Sequence, residues 1–425
     1  MLRFMLSLGR KQWLVYSSIL CMSVLPDRVF AITPNEALAL VTVHHPDVVQ
    51  ARQNVEIVRA SRTIAEARPN PTLTLSTTNS RPRHYGTTSQ DPIIRLDQPI
   101  ERGGKRQLRL ENADAQLKVA EHTLMDVTHT AETNVMLALA DLWVATQRLD
   151  LLQRTEQSLQ HTMRLTQKRL KAGDVASVDV QRLAIDVSRA QFDTQQAQLE
   201  VQRVQTMLVQ LLGGMAPPLT VEYAPQLDDP ERILTAQGLN RAVLIDARSD
   251  VQALSAQIVS AEKQLALAQA QRTRDISVGV QRERSPENSF NGTLFGVGVS
   301  IPLLVGNDYR GDIQQADQTL RLNQQQLALL KTQIQIDLLA AEQTWQMQWQ
   351  RWQTTQGLLQ SGQKTLQAVE FAYQNGAANL TDLLDARRQS LKVQDDVLQS
   401  QLQFWKAMLI WRAILHVPFD QPLQF

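Results

Sequence analysis

Arg169-Leu170-Lys171-Ala172-Gly173-Asp174-Val175-Ala176-Ser177-Val178-Asp179 decides the fold, because the chain says it twice. Its echo is Ala372-Tyr373-Gln374-Asn375-Gly376-Ala377-Ala378-Asn379-Leu380-Thr381-Asp382. In both, a long polar helical pattern stops at a glycine, and an aspartate follows six residues later. The two glycines lie 203 residues apart, and the same interval separates Pro99 from Pro302, Gly103 from Gly306, Leu117 from Leu320 and Asp47 from Asp250. Solenoid repeats have periods of roughly 20–50 residues, so this is a duplication of one large unit.

Working outward, the stretch from Arg106 to Ala172 holds neither proline nor glycine over 67 residues. As one helix it would span about 100 Å at ~1.5 Å per residue. Leu117, Leu124, Ala131 and Ala138 sit seven apart; after a four-residue step, Leu142, Leu149, Met163 and Leu170 continue the row. Such a step is a stutter, which locally unwinds a supercoil. Beyond Gly173, Val180, Val187, Thr194, Val201 and Leu208 fill one heptad position, and Leu183, Ala190, Ala197, Val204 and Leu211 the other. Small residues in such a seam let helices pack closely. The second half predicts helices over Asp308–Asn375 and Ala377–His416, with glutamine-rich faces too polar for lipid.

Two stretches break the helical pattern. Thr72 to Thr78 alternates polar and apolar residues, and Ile93 to Ile100 returns to Gly103-Gly104. Ile276 to Gln281 and Leu294 to Ile301 repeat the design before Pro302. Period-two alternation predicts two β-hairpins, with strands of about ten residues, long enough for a tilted crossing of a bilayer. Isolated hairpins leave unpaired edges, and in lipid only a closed barrel satisfies every backbone group. Four strands cannot close one; three copies would supply twelve, within the known range for such barrels. The predicted class is mainly α with a small β part: an α-barrel of long coiled-coil helices on four transmembrane strands per protomer.

The N-terminus carries Arg3, Arg10 and Lys11, an apolar stretch from Gln12 to Leu25, and Val29 and Ala31 at small-residue positions. That reads as a secretory leader cleaved after Ala31, with an uncleaved anchor as the alternative. Cys21 is the single cysteine and falls inside the leader; bulky Leu20 before it argues against acylation. Four basic residues and one aspartate leave with the leader, taking the net charge from +1 to −2, which gives nucleic acid no footing. The landmarks give a leader over 1–31, a first repeat over 32–216 with its hairpin at 70–101, and a linker over 217–235. A second repeat follows over 236–416 with its hairpin at 274–303, then a tail over 417–425.

No nucleophile–base set, phosphate loop or zinc-protease motif is present, so neither catalysis nor a cofactor is expected. His122, Asp126, His129 and Glu132 form one helical stripe. Such spacing can bind a borderline cation when a second helix contributes, but is more often a solvated face, and no metal site is assigned. The adjacent His44 and His45 diverge on a helix and carry the same expectation.

In this order the features resemble the TolC-like outer membrane factors of Gram-negative tripartite efflux and secretion systems, over essentially the whole mature chain. Gln98-Pro99-Ile100 leading to Gly103-Gly104-Lys105-Arg106 is similar to the CzcC-like, heavy-metal branch. The resemblance implies a homotrimer in outer-membrane lipid, with its helices in the periplasm. It also implies a periplasmic adaptor and an inner-membrane pump, of the RND type, as partners. The adaptor-contacting tips would be Gly173, Ser177, Val178 and Asp179 with Gly376, Asn379, Leu380 and Thr381. Tyr373, Asp382 and Asp385 match positions at the periplasmic entrance, where threefold symmetry would make rings of carboxylates. The plainer alternative is that the aspartates serve the start of the last helix. Ala378 stands where the arginine partner of the aromatic entrance residue would be, so that lock is expected to be altered. Heavy-metal, drug and protein export stay open as cargoes, and a periplasmic coiled-coil scaffold is the non-channel alternative.

Overall fold

A computed structural model describes residues 30–31, 33–80, 89–214, 219–220, 241–285, 292–417 and 419. The expected leader up to Val29, with Cys21, lies outside the described residues, as do most of the expected linker and tail. In chain order the elements are β1 (Phe30–Ala31), α1 (Pro34–His44), α2 (Pro46–Glu66), β2 (Thr72–Ser80), β3 (Ser89–Ile100), α3 (Lys105–Ala172) and α4 (Ser177–Leu211). There follow β4 (Leu219–Thr220), α5 (Arg241–Ala247), α6 (Ser249–Ala270), β5 (Ile276–Ser285), β6 (Gly292–Ser300), α7 (Arg310–Gln374) and α8 (Leu380–Ile414). α4 and α8 begin and end 203 residues apart, the interval of the glycines.

The helices form a layer around α3, which is 68 residues long. Its first part packs between α2 and α6, its later part between α4 and α8, and α7 closes the far side against α6 and α8. Ion pairs mark the levels: Lys263–Glu111 near the start of α3, Lys406–Asp141 midway and Arg148–Asp395 below it. The expected seam of α4 is the packed face, with Leu183, Ala190, Thr194, Ala197, Val204 and Leu208 buried. The main core lies where the ends of α4 and α8 pack against the middle of α3, around Val135, Leu139, Leu142, Leu208, Leu212 and Leu409. Trp143 stands edge-on to Trp405 there, at 4.7 Å between ring centroids. No helix among the described residues is long and apolar enough to cross a membrane.

Two helix starts depart from expectation. α8 begins at Leu380 and not Ala377, because Asn379 forms a capping box with Asp382: Asp382 N–H donates to Asn379 Oδ1 at 2.9 Å and Asn379 N–H to Asp382 Oδ2 at 3.2 Å. α7 begins at Arg310 after Tyr309, whose φ of 59° is left-handed and cannot extend the helix.

The two hairpins join into one antiparallel sheet in the order β2-β3-β5-β6, so among the described residues β2 and β6 keep free outer edges within the protomer. Register sorts the side chains onto two faces. Leu73, Leu96, Val280 and Val297 form one row, and Val278 opposite Val299 another on the same face. The opposite face carries Thr72, Asp97, Gly279 and Gly298, then Thr74, Arg95, Gln281 and Gly296. Arg95 and Asp97 form an ion pair at 2.7 Å on it. Gly279 makes room for this pair: a Cβ there would lie 2.1 Å from Asp97 Oδ1. The first face is mainly apolar, with Gln98 and Arg282 among its members, and the second mainly polar, with Ile93 and Leu294 on it, the bias that a membrane barrel needs between lipid and lumen sides.

Sheet and helices are tied at the Gly103-Gly104 joint, both residues being left-handed at φ 74° and 69°. A Cβ on Gly103 would meet Thr273 at 2.9 Å. Asp275 accepts from Arg102 N–H and from the buried Lys105 Nζ, both at 2.9 Å, and Arg109 pairs with Glu101. The motif that carried the family resemblance is thus the strand-to-helix joint.

Candidate functional site

Far from the sheet, α3 turns into α4 and α7 into α8. Gly173 takes φ 84° and Gly376 φ 76°, a region glycine enters without strain. The following residues close the turns: Asp174 N–H donates to Arg169 O at 2.9 Å and Ala377 N–H to Ala372 O at 2.8 Å. These are Schellman-type closures, which satisfy carbonyls the helix end would leave unpaired.

Beneath the turns, Leu159, Leu183, Ala190, Leu380, Leu383 and Leu384 form a separate apolar cluster, with Met163, Val187, Val369 and Tyr373 against it. Leu380 therefore differs from its expected role: it is 6% exposed and holds the tip together instead of offering a contact surface. Its apolar character at the first helical position was the available signal. Ser177, Val178, Thr381, Gly173, Gly376 and Asn379 are exposed, and Asp179 is half-buried.

The entrance residues divide. Asp382 is exposed and serves the capping box, the helix-start role. Asp385 is exposed and pairs with Arg388 at 3.1 Å. Tyr373 has an arginine partner that the sequence reading missed: the Arg169 guanidinium lies 5.3 Å from its ring centroid, reaching across from α3. Two further residues were missed. Arg388 donates to both carboxylate oxygens of Asp186 at 2.8 Å, linking α8 to α4. Arg387 donates to Glu370 Oε1 at 3.0 Å and Thr162 Oγ1 at 2.8 Å, linking α8 to α7 and α3. One adjacent arginine pair thus ties all four helices just above the tips. A groove of about 880 Å³ rises from this level between α4 and α8, lined by Asp186, Arg189, Asp193, Arg388, Lys392 and Asp395.

The histidine stripe is not one solvated face. Asp126 and His129 are half-buried, His129 Nε2 lies 3.0 Å from Ala413 O, and the His129 ring sits tilted against that of His416 at 4.3 Å between centroids. Of the His44-His45 pair, buried His45 caps α2, its Nδ1 accepting from Asp47 N–H at 3.3 Å.

A membrane-length sheet with one mainly apolar face, set on helices about 100 Å long that end in tight turns, defines a class: a channel protein whose β part sits in a bilayer and whose helices stand in water. Residues 37–214 and 243–409 match the family model of the outer membrane efflux proteins, and the chain belongs to that family. It is 24% identical over 390 residues to nodulation protein T of Rhizobium leguminosarum bv. trifolii, covering 87% of this chain and 82% of that one. It is 22% identical over 369 residues to the cobalt-zinc-cadmium resistance protein CzcC of Cupriavidus metallidurans, covering 84% and 83%. Among solved structures, CusC superposes with a TM-score of 0.74 at 17% identity, over 91% of this chain and 93% of that one, which establishes a shared fold.

Proposed function

We propose that three copies of this chain form the outer-membrane duct of a tripartite efflux system that exports heavy-metal cations. The observation that carries the reading is the pair of unfilled edges. Among the described residues the sheet ends in β2 and β6 without partners, and the helical layer exposes apolar heptads at both sides. On α4 these are Val178, Ile185, Phe192 and Leu199, and on α7 Leu322, Leu329 and Ile336. Each row is what a further coiled-coil partner needs. Three copies joined edge to edge would close twelve strands and cover every row. The duct is passive, so a periplasmic adaptor and an RND-type inner-membrane pump supply the drive. The exposed tips and the groove between α4 and α8 are the surfaces we assign to the adaptor.

The cargo reading rests on the likeness to CzcC, whose name concerns cobalt, zinc and cadmium. Deleting the gene is expected to lower tolerance of these three cations and leave drug tolerance unchanged. Lost drug tolerance with unchanged metal tolerance would overturn the cargo and leave the duct standing.

Asp382 and Asp385 are assigned to the periplasmic entrance, with Tyr373 beside them. In a threefold ring their carboxylates would concentrate cations where water screens least. Replacing both by alanine is expected to weaken divalent-cation block of single-channel current in a planar bilayer. Asn379 keeps the cap through its side chain, and losing the Asp382 half of the capping box and the helix-start charge would cost roughly 0.3–1 kcal/mol at each α8 start, too little to dissolve the assembly. Unchanged block would confine both aspartates to the helix start.

A further inference from the structure

Asp126 of α3, Asp250 at the start of α6 and His416 just past α8 bring one ligand atom each to within 4.8 Å of one another. No other group of three such ligand residues comes together among the described residues. His416 Nε2 stands 3.7 Å from Asp126 Oδ1, too far for a hydrogen bond. Asp126 accepts no hydrogen bond from any described residue, although it is half-buried. Asp250 is the opposite case. Its Oδ1 accepts from Arg248 Nε at 3.0 Å and from Val251 N–H at 2.8 Å, and its Oδ2 accepts from Arg248 Nη2 at 2.8 Å. A carboxylate has about four lone-pair sites, so one on Oδ2 remains, on a group already locked in orientation.

The duplication provides an internal comparison. The first-half counterpart of His416 is Gly213, and both are left-handed, at φ 52° and 79°. A Cβ at Gly213 would lie 2.3 Å from His44 O, so the first copy has no room for a side chain. The second copy places an imidazole there in a conformation that non-glycine residues enter only under strain, and such strain gathers at functional positions. Asp126 corresponds to Leu329, an exposed residue of the α7 edge row. Of two equivalent places in the fold, only one collects the three groups.

The electrostatics suit a cation. Burial, helped by Arg248 and His129, pushes the His416 imidazole down to about 4, leaving it neutral and able to ligate near pH 7. Burial and the charge of Asp250 push the Asp126 carboxyl up. For Asp250 burial acts upward too, but the Arg248 pair overrides it and holds the carboxyl below its usual range. The charged and titratable groups facing the cluster are Arg248, Arg412 and His129. Arg248 is bonded to Asp250 and acts on Asp126 only through its charge, which burial and Asp250 together outweigh.

We infer that Asp126, Asp250 and His416 bind one borderline divalent cation of the zinc class, which fastens α3, the start of α6 and the end of α8 together. Two carboxylate oxygens and an imidazole nitrogen are ligands that zinc and its neighbours accept, with water completing the shell. His129, bonded to Ala413 O and packed at a 32° tilt against His416, orients the imidazole from outside the site. This cation is resident and not cargo, so the inference stands apart from what the duct exports.

The test uses the untagged full-length protein in detergent, stripped with chelator and titrated with zinc chloride against a chromophoric competitor. One zinc per chain is expected. Asp126→Asn and His416→Gln should each weaken binding about tenfold or more, while His161→Gln, an exposed histidine elsewhere on α3, should not. Substoichiometric zinc in the wild type, or wild-type affinity in both site variants, would overturn the assignment. Should a variant fail to fold, X-ray absorption on the zinc-loaded wild type decides. One imidazole among oxygen ligands supports the site, and two or more imidazoles refute it.

Discussion

Gly173→Pro or Gly376→Pro abolishes export while the protein still reaches the outer membrane. Proline holds φ near −65°, whereas these glycines sit at 84° and 76°. Each also donates its N–H, Gly173 to Leu170 O at 3.0 Å and Gly376 to Tyr373 O at 3.2 Å, and proline has none to give. The cost is about 3 kcal/mol or more at each turn. Neither glycine has any atom within 4 Å of where a Cβ would stand, so the defect is one of backbone and not of packing. Gly173→Ala should accordingly be milder, at about 1–2 kcal/mol for a left-handed residue. The sheet lies the length of α3 away, about 100 Å, which is why insertion survives. Metal tolerance of a complemented deletion strain and recovery in the outer-membrane fraction are the two readouts. Full tolerance in both proline variants would remove the tips from the export path.

The second large effect is expected from charge placed on the helical edges. Phe192 is 57% exposed on α4 and Leu329 is 70% exposed on α7. In the protomer alone, Phe192→Asp or Leu329→Asp touches nothing packed, so the helical fold should be unchanged. In the assembly each side chain would be covered, and burying it is worth about 1.5–3 kcal/mol. An aspartate there adds several kcal/mol for an unpaired buried charge, and threefold symmetry repeats the loss at every interface. The double variant should run as a helical monomer in mild detergent. If it keeps the assembly of the wild type, these rows are not the contacts between copies.

How far the sequence disclosed this follows from how local each signal is. The Gly173 and Gly376 turns were legible because positive φ leaves its mark on residue type, and the hairpins because period two differs from the helical period. The inward seam of α4 was legible from its heptads. The second row on the same helix, Val178, Ile185, Phe192 and Leu199, also has sevenfold spacing, but a seam already filled drew the reading away from it. Start positions shifted by a few residues where a cap decides them, as at Asn379. The contacts that tie the tips were not legible at all. Arg388 and Asp186 are 202 residues apart, and Arg387 and Thr162 are 225 apart. A charged residue on a long polar helix carries no local sign of which distant helix it will face. For the same reason the half-buried setting of Asp126 beside Asp250 and His416 could not be read from the stripe it belongs to.

The central claim is closure by three copies, and the mass of the detergent-solubilised complex tests it most directly. Native mass spectrometry of the purified wild-type protein, released from a mild detergent, should give a single species of three chains. A monodisperse monomer with its helical spectrum intact would contradict the account, because a lone protomer would leave β2, β6 and both apolar helix rows uncovered.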